Sequence, residues 1–161
     1  MFFFKKPEPP IPFPTTELHD EKTFYKKFLK DLEECTDELI IESPFITTTR
    51  MRTFHLLFKR LIEKGVKIYI VTRPPEEHEE IFKNQAEREI STFECMGIAT
   101  LLCLGNHHRK LAIIDRKILW EGSLNILSQA NSREIMRRID SPKVTLKMIN
   151  FLGYTYFLNK N

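Results

Sequence analysis

Apolar residues recur at helical spacing early in the chain. Phe24, Phe28 and Leu32 fall on one face with Tyr25 and Leu29 beside them, and Asp20 stands where a cap would. The pattern predicts a helix from about Glu21 to Glu34. Glu38-Leu39-Ile40-Ile41-Glu42-Ser43 reads as a short buried strand closed by Pro44. Met51, Phe54, Leu57, Phe58, Leu61 and Ile62 form one stripe of a second helix, capped by Thr49 and stopped by Gly65. Val66 to Thr72 is β-branched and aromatic, a second strand. A third helix follows Pro74-Pro75 and runs to about Met96, ended by Gly97. Further strands are expected at Ile98 to Leu104, Lys110 to Asp115, Ile118 to Glu121 and Arg133 to Ile139, with Arg116-Lys117 at a turn. Ser141 as cap and Pro142 at the first helical position open a last helix. Apolar residues from Val144 to Leu158 surround that helix almost completely, so it needs cover on all sides. A subunit interface would supply it, and so would a groove of the same domain.

Strands alternating with helices, followed by a cluster of adjacent strands, predict an α/β domain: a mixed sheet flanked by helices. The 161 residues fit one such domain, over 21–161, with no internal repeat. Ahead of it, 1–20 reads as a proline-rich arm, because Pro7-Glu8-Pro9-Pro10-Ile11-Pro12-Phe13-Pro14 cannot pair normally in a central sheet. Phe2, Phe3 and Phe4 before Lys5-Lys6 make a run too short for a signal peptide or membrane span. No stable membrane association is expected. Cys35, Cys95 and Cys103 are irregularly spaced and suggest no disulfide framework, which favours the cytoplasm. They also lack a paired knuckle for zinc with His107 and His108, and no phosphate-cradling glycine loop is present. Neither metal nor cofactor is expected.

The chemistry concentrates in His108-Arg109-Lys110-Leu111-Ala112-Ile113-Ile114-Asp115 and, six residues later, Gly122-Ser123-Leu124-Asn125. Imidazole, ammonium and carboxamide at this spacing can supply a nucleophile, a cation and hydrogen-bond donors. Neighbouring strand residues point to opposite faces, so only one of His107 and His108 can enter a site.

The pattern His-x-Lys-x-x-x-x-Asp followed by Gly-Ser-x-Asn resembles the phospholipase D superfamily. The likeness in element order runs from about Glu21 to Asn161, and in residues from about His108 to Glu134. It implies a phospholipase D-like fold with one motif copy per chain, and a metal-independent phosphodiesterase using a phosphohistidine intermediate. Two histidines are needed, so the single copy implies a homodimer with a site shared by both subunits. The resemblance makes His108, Lys110, Asp115 and Glu134 the catalytic set, with Asp115 mainly bracing the strand. Ser123 and Asn125 would bind phosphate, joined by Arg109 and Arg133.

The net charge of +3 suits an anionic substrate. Basic residues crowd the motif (Arg109, Arg116, Lys117, Arg133, Arg137, Arg138) and recur on the second helix, and Arg73 ends a strand where α/β sheets commonly bind ligands. Leu119 to Leu127 and Ser43-Pro44-Phe45-Ile46 look most like nuclease modules and modules attached to DNA helicases. The substrate expected is therefore nucleic acid, and a helicase or other DNA-processing protein is a candidate partner. The alternatives are a non-catalytic nucleic-acid-binding or dimerisation module, and a phospholipid phosphodiesterase.

Overall fold

Ile40 and Ile41 are adjacent in one strand and face opposite layers, and this alternation organises the molecule. The computed structural model describes residues 14–158. Its elements are β1 (Thr15–Asp20), α1 (Phe24–Glu33), β2 (Glu38–Glu42), α2 (Thr48–Glu63), β3 (Lys67–Thr72), α3 (Glu80–Met96), β4 (Ala99–Leu102), β5 (Leu111–Ile114), β6 (Ile118–Gly122), β7 (Ile135–Asp140), α4 (Pro142–Leu152) and α5 (Tyr154–Leu158). The strands form one seven-stranded sheet in the order β1-β7-β6-β5-β2-β3-β4. β2, β3 and β4 run parallel, and the remaining pairs are antiparallel. This is the mixed α/β sheet that the sequence predicts.

On one face Leu39, Ile41, Ile68, Ile70, Ala112 and Trp120 pack with the apolar stripes of α1, α2 and α3. On the other, Ile40, Tyr69, Val71, Leu111, Ile113 and Leu119 pack under α4 and α5. The pairing Glu42↔Leu111↔Glu121, with Val71 beside Glu42 and Leu102 beside Thr72, puts several loops at one end of the sheet. They are those after β2, β3, β4 and β6 and before β5 and β7.

Four local differences from the sequence reading have physical causes. Thr15–Asp20, assigned to the arm, is an edge strand paired with β7; its polar sequence hides it, because only alternate residues are partly covered. Residues 1–13, which hold the proline-rich stretch except Pro14, lie outside the described residues. Asp20 accepts the N–H groups of Lys22 and Thr23, closing β1 in a turn instead of capping the helix, which starts at Phe24. Thr47, not Thr49, caps α2 by accepting the N–H of Arg50. The last helix breaks at Gly153 (φ 72°), which adopts the left-handed conformation that ends α4. Its cover is one-sided: Ile149 and Tyr154 are buried, while Leu146 and Phe151 are 51% and 84% exposed.

A buried ionic cluster ties the edge to the core. Asp31 of α1, 2% exposed, accepts Trp120 Nε1 at 3.0 Å and Arg138 Nε at 2.7 Å. Arg138 Nη1 continues outward to Glu17 of β1 at 3.2 Å. Removing one partner leaves the other charge buried and unpaired. Asp31→Ala is expected to cost about 3 kcal/mol, read as a lower midpoint of denaturant unfolding with an unchanged slope; a loss under about 1 kcal/mol, the scale of an exposed ion pair, would contradict this role for the cluster.

Candidate active site

The segment ahead of β5 is held at several points before any catalytic group is considered. Glu77 accepts the backbone N–H of Gly105 at 2.8 Å and of Asn106 at 3.1 Å, where both residues have positive φ. Arg73, just past β3, donates Nε to the His107 carbonyl at 2.6 Å. Glu42, the last residue of β2 and fully buried, accepts Arg109 Nε at 2.9 Å and pairs with Arg109 Nη2 at 2.8 Å. His107 Nε2 lies 3.2 Å from the same carboxylate oxygen, off the angle of a hydrogen bond. The buried Tyr154 hydroxyl faces this carboxylate, and burial together with that charge raises its pKa. His107 and Arg109 thus point to the α4–α5 face, and alternation sends His108 and Lys110 to the other.

His108 and Lys110 line an open concavity of about 530 Å³ with Gly122, Ser123, Asn125 and Glu134. Lys110 Nζ donates to the His108 carbonyl at 2.6 Å and lies 2.9 Å from His108 Nδ1. An ammonium has no acceptor capacity, so this contact needs an unprotonated ring nitrogen. Lys110 is 8% exposed and His108 is exposed.

The second half of the motif is fixed from beneath. Leu124, Ile126 and Leu127 are fully buried, which leaves Ser123 and Asn125 at the surface of the concavity. Tyr25 Oη donates to the Ile126 carbonyl at 2.8 Å, and Arg50 Nη2 to the Gln129 carbonyl at 2.7 Å. Gly122 admits no side chain, since a Cβ there would fall on the Ile135 carbonyl of β7. Ser123 Oγ accepts the Ile135 N–H at 3.1 Å, leaving its O–H to donate into the concavity. Glu134 accepts the Ser132 hydroxyl at 2.7 Å, and its own N–H donates to Glu21.

The electrostatics favour a neutral imidazole. Burial lowers the pKa of His108, and the charges of Lys110 and Arg73 push the same way. Lys110 is also lowered, by burial first; Glu134 opposes that shift and Arg73 adds to it. Arg73 therefore acts on both His108 and Lys110 through space.

Three expected site residues stand apart from this group. Asp115 is not at the concavity. It sits at the far end of β5, where it and Arg116, at φ 51° and 53°, are the left-handed residues of the three-residue turn into β6. Its carboxylate accepts the N–H groups of Thr36, Asp37 and Glu38; burial raises its pKa, but these amides hold it below the usual value. Arg109 lines the concavity, but its guanidinium is engaged by Glu42. Arg133 is exposed on the loop before β7 and is not among the residues lining the concavity. The basic residues do not form the expected crowd either: Arg138 is buried on Asp31, Arg116 pairs with Glu38 at the opposite end of the sheet, and Arg50 stacks over Tyr25. Glu42, Glu77 and Tyr154 were missed. For Glu42 the available signal was a carboxylate ending an otherwise apolar strand.

A family model described as "Cardiolipin synthase, PLD-like domain" matches residues 28–154. Among solved structures, NucT from Helicobacter pylori superposes with a TM-score of 0.67 at 20% identity, covering 91% of this chain and 96% of that one. Nuc from Salmonella typhimurium, described as a phospholipase D family member, gives 0.67 at 16% identity, covering 86% and 91%. Phosphatidylserine synthase from Haemophilus influenzae gives 0.64 at 14% identity, covering 84% of this chain and 37% of that one. At these identities the likeness is one of fold. No curated protein matches in sequence.

The arrangement predicts how His108 titrates. Arg73→Gln removes a positive charge that disfavours the imidazolium, so the His108 pKa should rise toward the ordinary histidine value. An NMR titration of the imidazole resonances, with His108→Ala to assign the signal, reads this directly. An unchanged or lower pKa would mean that Arg73 does not act on His108.

Proposed function

The chain belongs to the phospholipase D-like domain family, and from that premise we propose that it is a metal-independent nuclease whose active site is built by two subunits. The observation that carries this reading is the convergence of His108, Lys110, Ser123, Asn125 and Glu134 on one open concavity. Lys110 and Arg73 supply the positive charge that a metal would otherwise bring to the phosphate oxygens. Asn125 and the Ser123 O–H add hydrogen bonds to the same oxygens.

In the proposed reaction, the neutral His108 attacks phosphorus, forming an N–P bond as the P–O bond to the leaving group breaks. The protonated His108 of the partner subunit gives its proton to the departing oxygen. That imidazole then takes a proton from water, the water oxygen attacks phosphorus, and the N–P bond breaks. Glu134 assists by stabilising positive charge at the site. Asp115 supports the geometry from the far end of β5.

Two observations favour a shared site. His107 is turned to Glu42, so each concavity offers one imidazole. An apolar recess containing Met148, Phe151 and Leu152 adjoins it, sharing Arg109, Lys110 and Gly122, and Phe151 is 84% exposed there. A large apolar side chain left in water beside the site suits a subunit contact. Nucleic acid is favoured by the positive charge of Lys110 and Arg73 at the concavity and by the exposed Arg137, paired with Glu121 at 3.4 Å, in the adjoining recess. No helix among the described residues is long and apolar enough to cross a membrane.

The test is cleavage of single- and double-stranded DNA and RNA in EDTA. Wild type should cut at least one of them, and His108→Ala should fall by about three orders of magnitude or more. Activity that depends on an added divalent ion, or that survives His108→Ala, contradicts the mechanism. Salt-sensitive binding by both proteins without cleavage would point to a non-catalytic module. For the shared site, Phe151→Asp should give a folded monomer by sedimentation with cleavage reduced about a hundred-fold or more, since the second imidazole is lost. A monomeric variant that cuts like wild type would show that each subunit carries a complete site.

A further inference from the structure

Beside the catalytic concavity, across Asn125, lies a second recess of about 300 Å³. The two are coupled: Asn125 lines both, and Ser132 of the recess donates its hydroxyl to Glu134 of the concavity. The volume is at the bottom of the range for small-ligand pockets, roughly 300–1,000 Å³. It suits one compact group next to the scissile phosphate.

The lining is divided in character. One side is aromatic, formed by Phe45 and Phe82 with ring centroids 6.3 Å apart and inclined at 64°. Phe45 is already covered, by the Arg73 guanidinium at 5.0 Å and the His78 ring at 5.1 Å. Phe82 projects from the first turn of α3 and is 37% exposed. The other side carries amides and hydroxyls, Asn125, Ser128 and Asn131 among them. Asn125 Oδ1 is buried and has no donor among the described residues.

A planar group with an aromatic face and N–H donors, attached to a phosphodiester, is a nucleobase. An acyl chain would fill the aromatic side but leave the amides and hydroxyls of the other side without partners. We propose that this recess holds the base adjoining the scissile phosphate, with Phe82 as its stacking surface and the amides and hydroxyls of the opposite side meeting its edge. This rests on the nuclease reading above. The Ser132–Glu134 hydrogen bond joins the occupied recess to the reacting centre, so a seated base also orders the carboxylate that faces Lys110.

The test compares wild type, Phe82→Ala and Phe82→Trp on two single-stranded oligonucleotides of equal length in EDTA. One carries all its bases and the other has abasic spacers at its central positions. Phe82→Ala should raise KM roughly ten-fold on the first, leave kcat nearly unchanged, and match wild type on the second. Phe82→Trp should restore KM on the first. The proposal is overturned if Phe82→Ala cuts the base-bearing strand as wild type does. It is equally overturned if the variant loses the same factor on both substrates, the mark of a structural defect. If wild type cuts neither strand but hydrolyses phospholipid vesicles, the nuclease reading fails and the recess proposal fails with it.

Discussion

The geometry of this site depends on one buried carboxylate. Glu42 ends β2 with no exposure to solvent, and such a charge persists only where cations and donors surround it. Arg109 and His107 gather on it, from a segment more than sixty residues away in sequence. Because successive extended residues alternate in direction, anchoring those two side chains on one face fixes His108 and Lys110 on the other. Arg73 and Glu77 then hold the backbone of the same segment from outside the sheet. His108 and Lys110 are thus placed by the contacts of the residues around them.

That placement has an electrostatic consequence. Burial and two nearby cations disfavour the imidazolium form of His108, and Lys110 itself approaches a ring nitrogen as a donor. A neutral imidazole beside positive charge is suited to attack a phosphate anion and unsuited to donate a proton. One such concavity is therefore half of a general acid–base pair. The exposed Phe151 beside it offers a physical reason for a second concavity to be brought close. The proposal that two subunits complete one site rests on the single motif copy; both copies of His108 share this environment, and the one that acts as acid takes up its proton when a phosphate anion lies between the two.

The α/β order was legible because the apolar stripes of α1 and α2 and the apolar strands β2, β3 and β5 each obey one period. The motif was legible because several chemically distinct side chains occur at a fixed joint spacing. What stayed hidden depended on three-dimensional neighbours. β1 is polar and half exposed, so no periodicity announces it. The resemblance gives Asp115 a bracing role near the site, and β5 carries it to the far end of the sheet, where its carboxylate closes a turn. Arg138 reads as part of a basic surface until Asp31 takes it into the core. Gly153 was visible within the last apolar run, but continuity of apolar residues concealed that it divides the helix.

The measurement that tests the central claim most directly is intact-protein mass spectrometry of the wild-type enzyme, quenched during turnover with a short oligonucleotide. The account predicts a nucleotidyl-phosphate adduct on His108, in at most one subunit of each dimer, because the other His108 serves as the acid. An adduct on another residue, simultaneous labelling of both subunits, or turnover with no covalent species would contradict it.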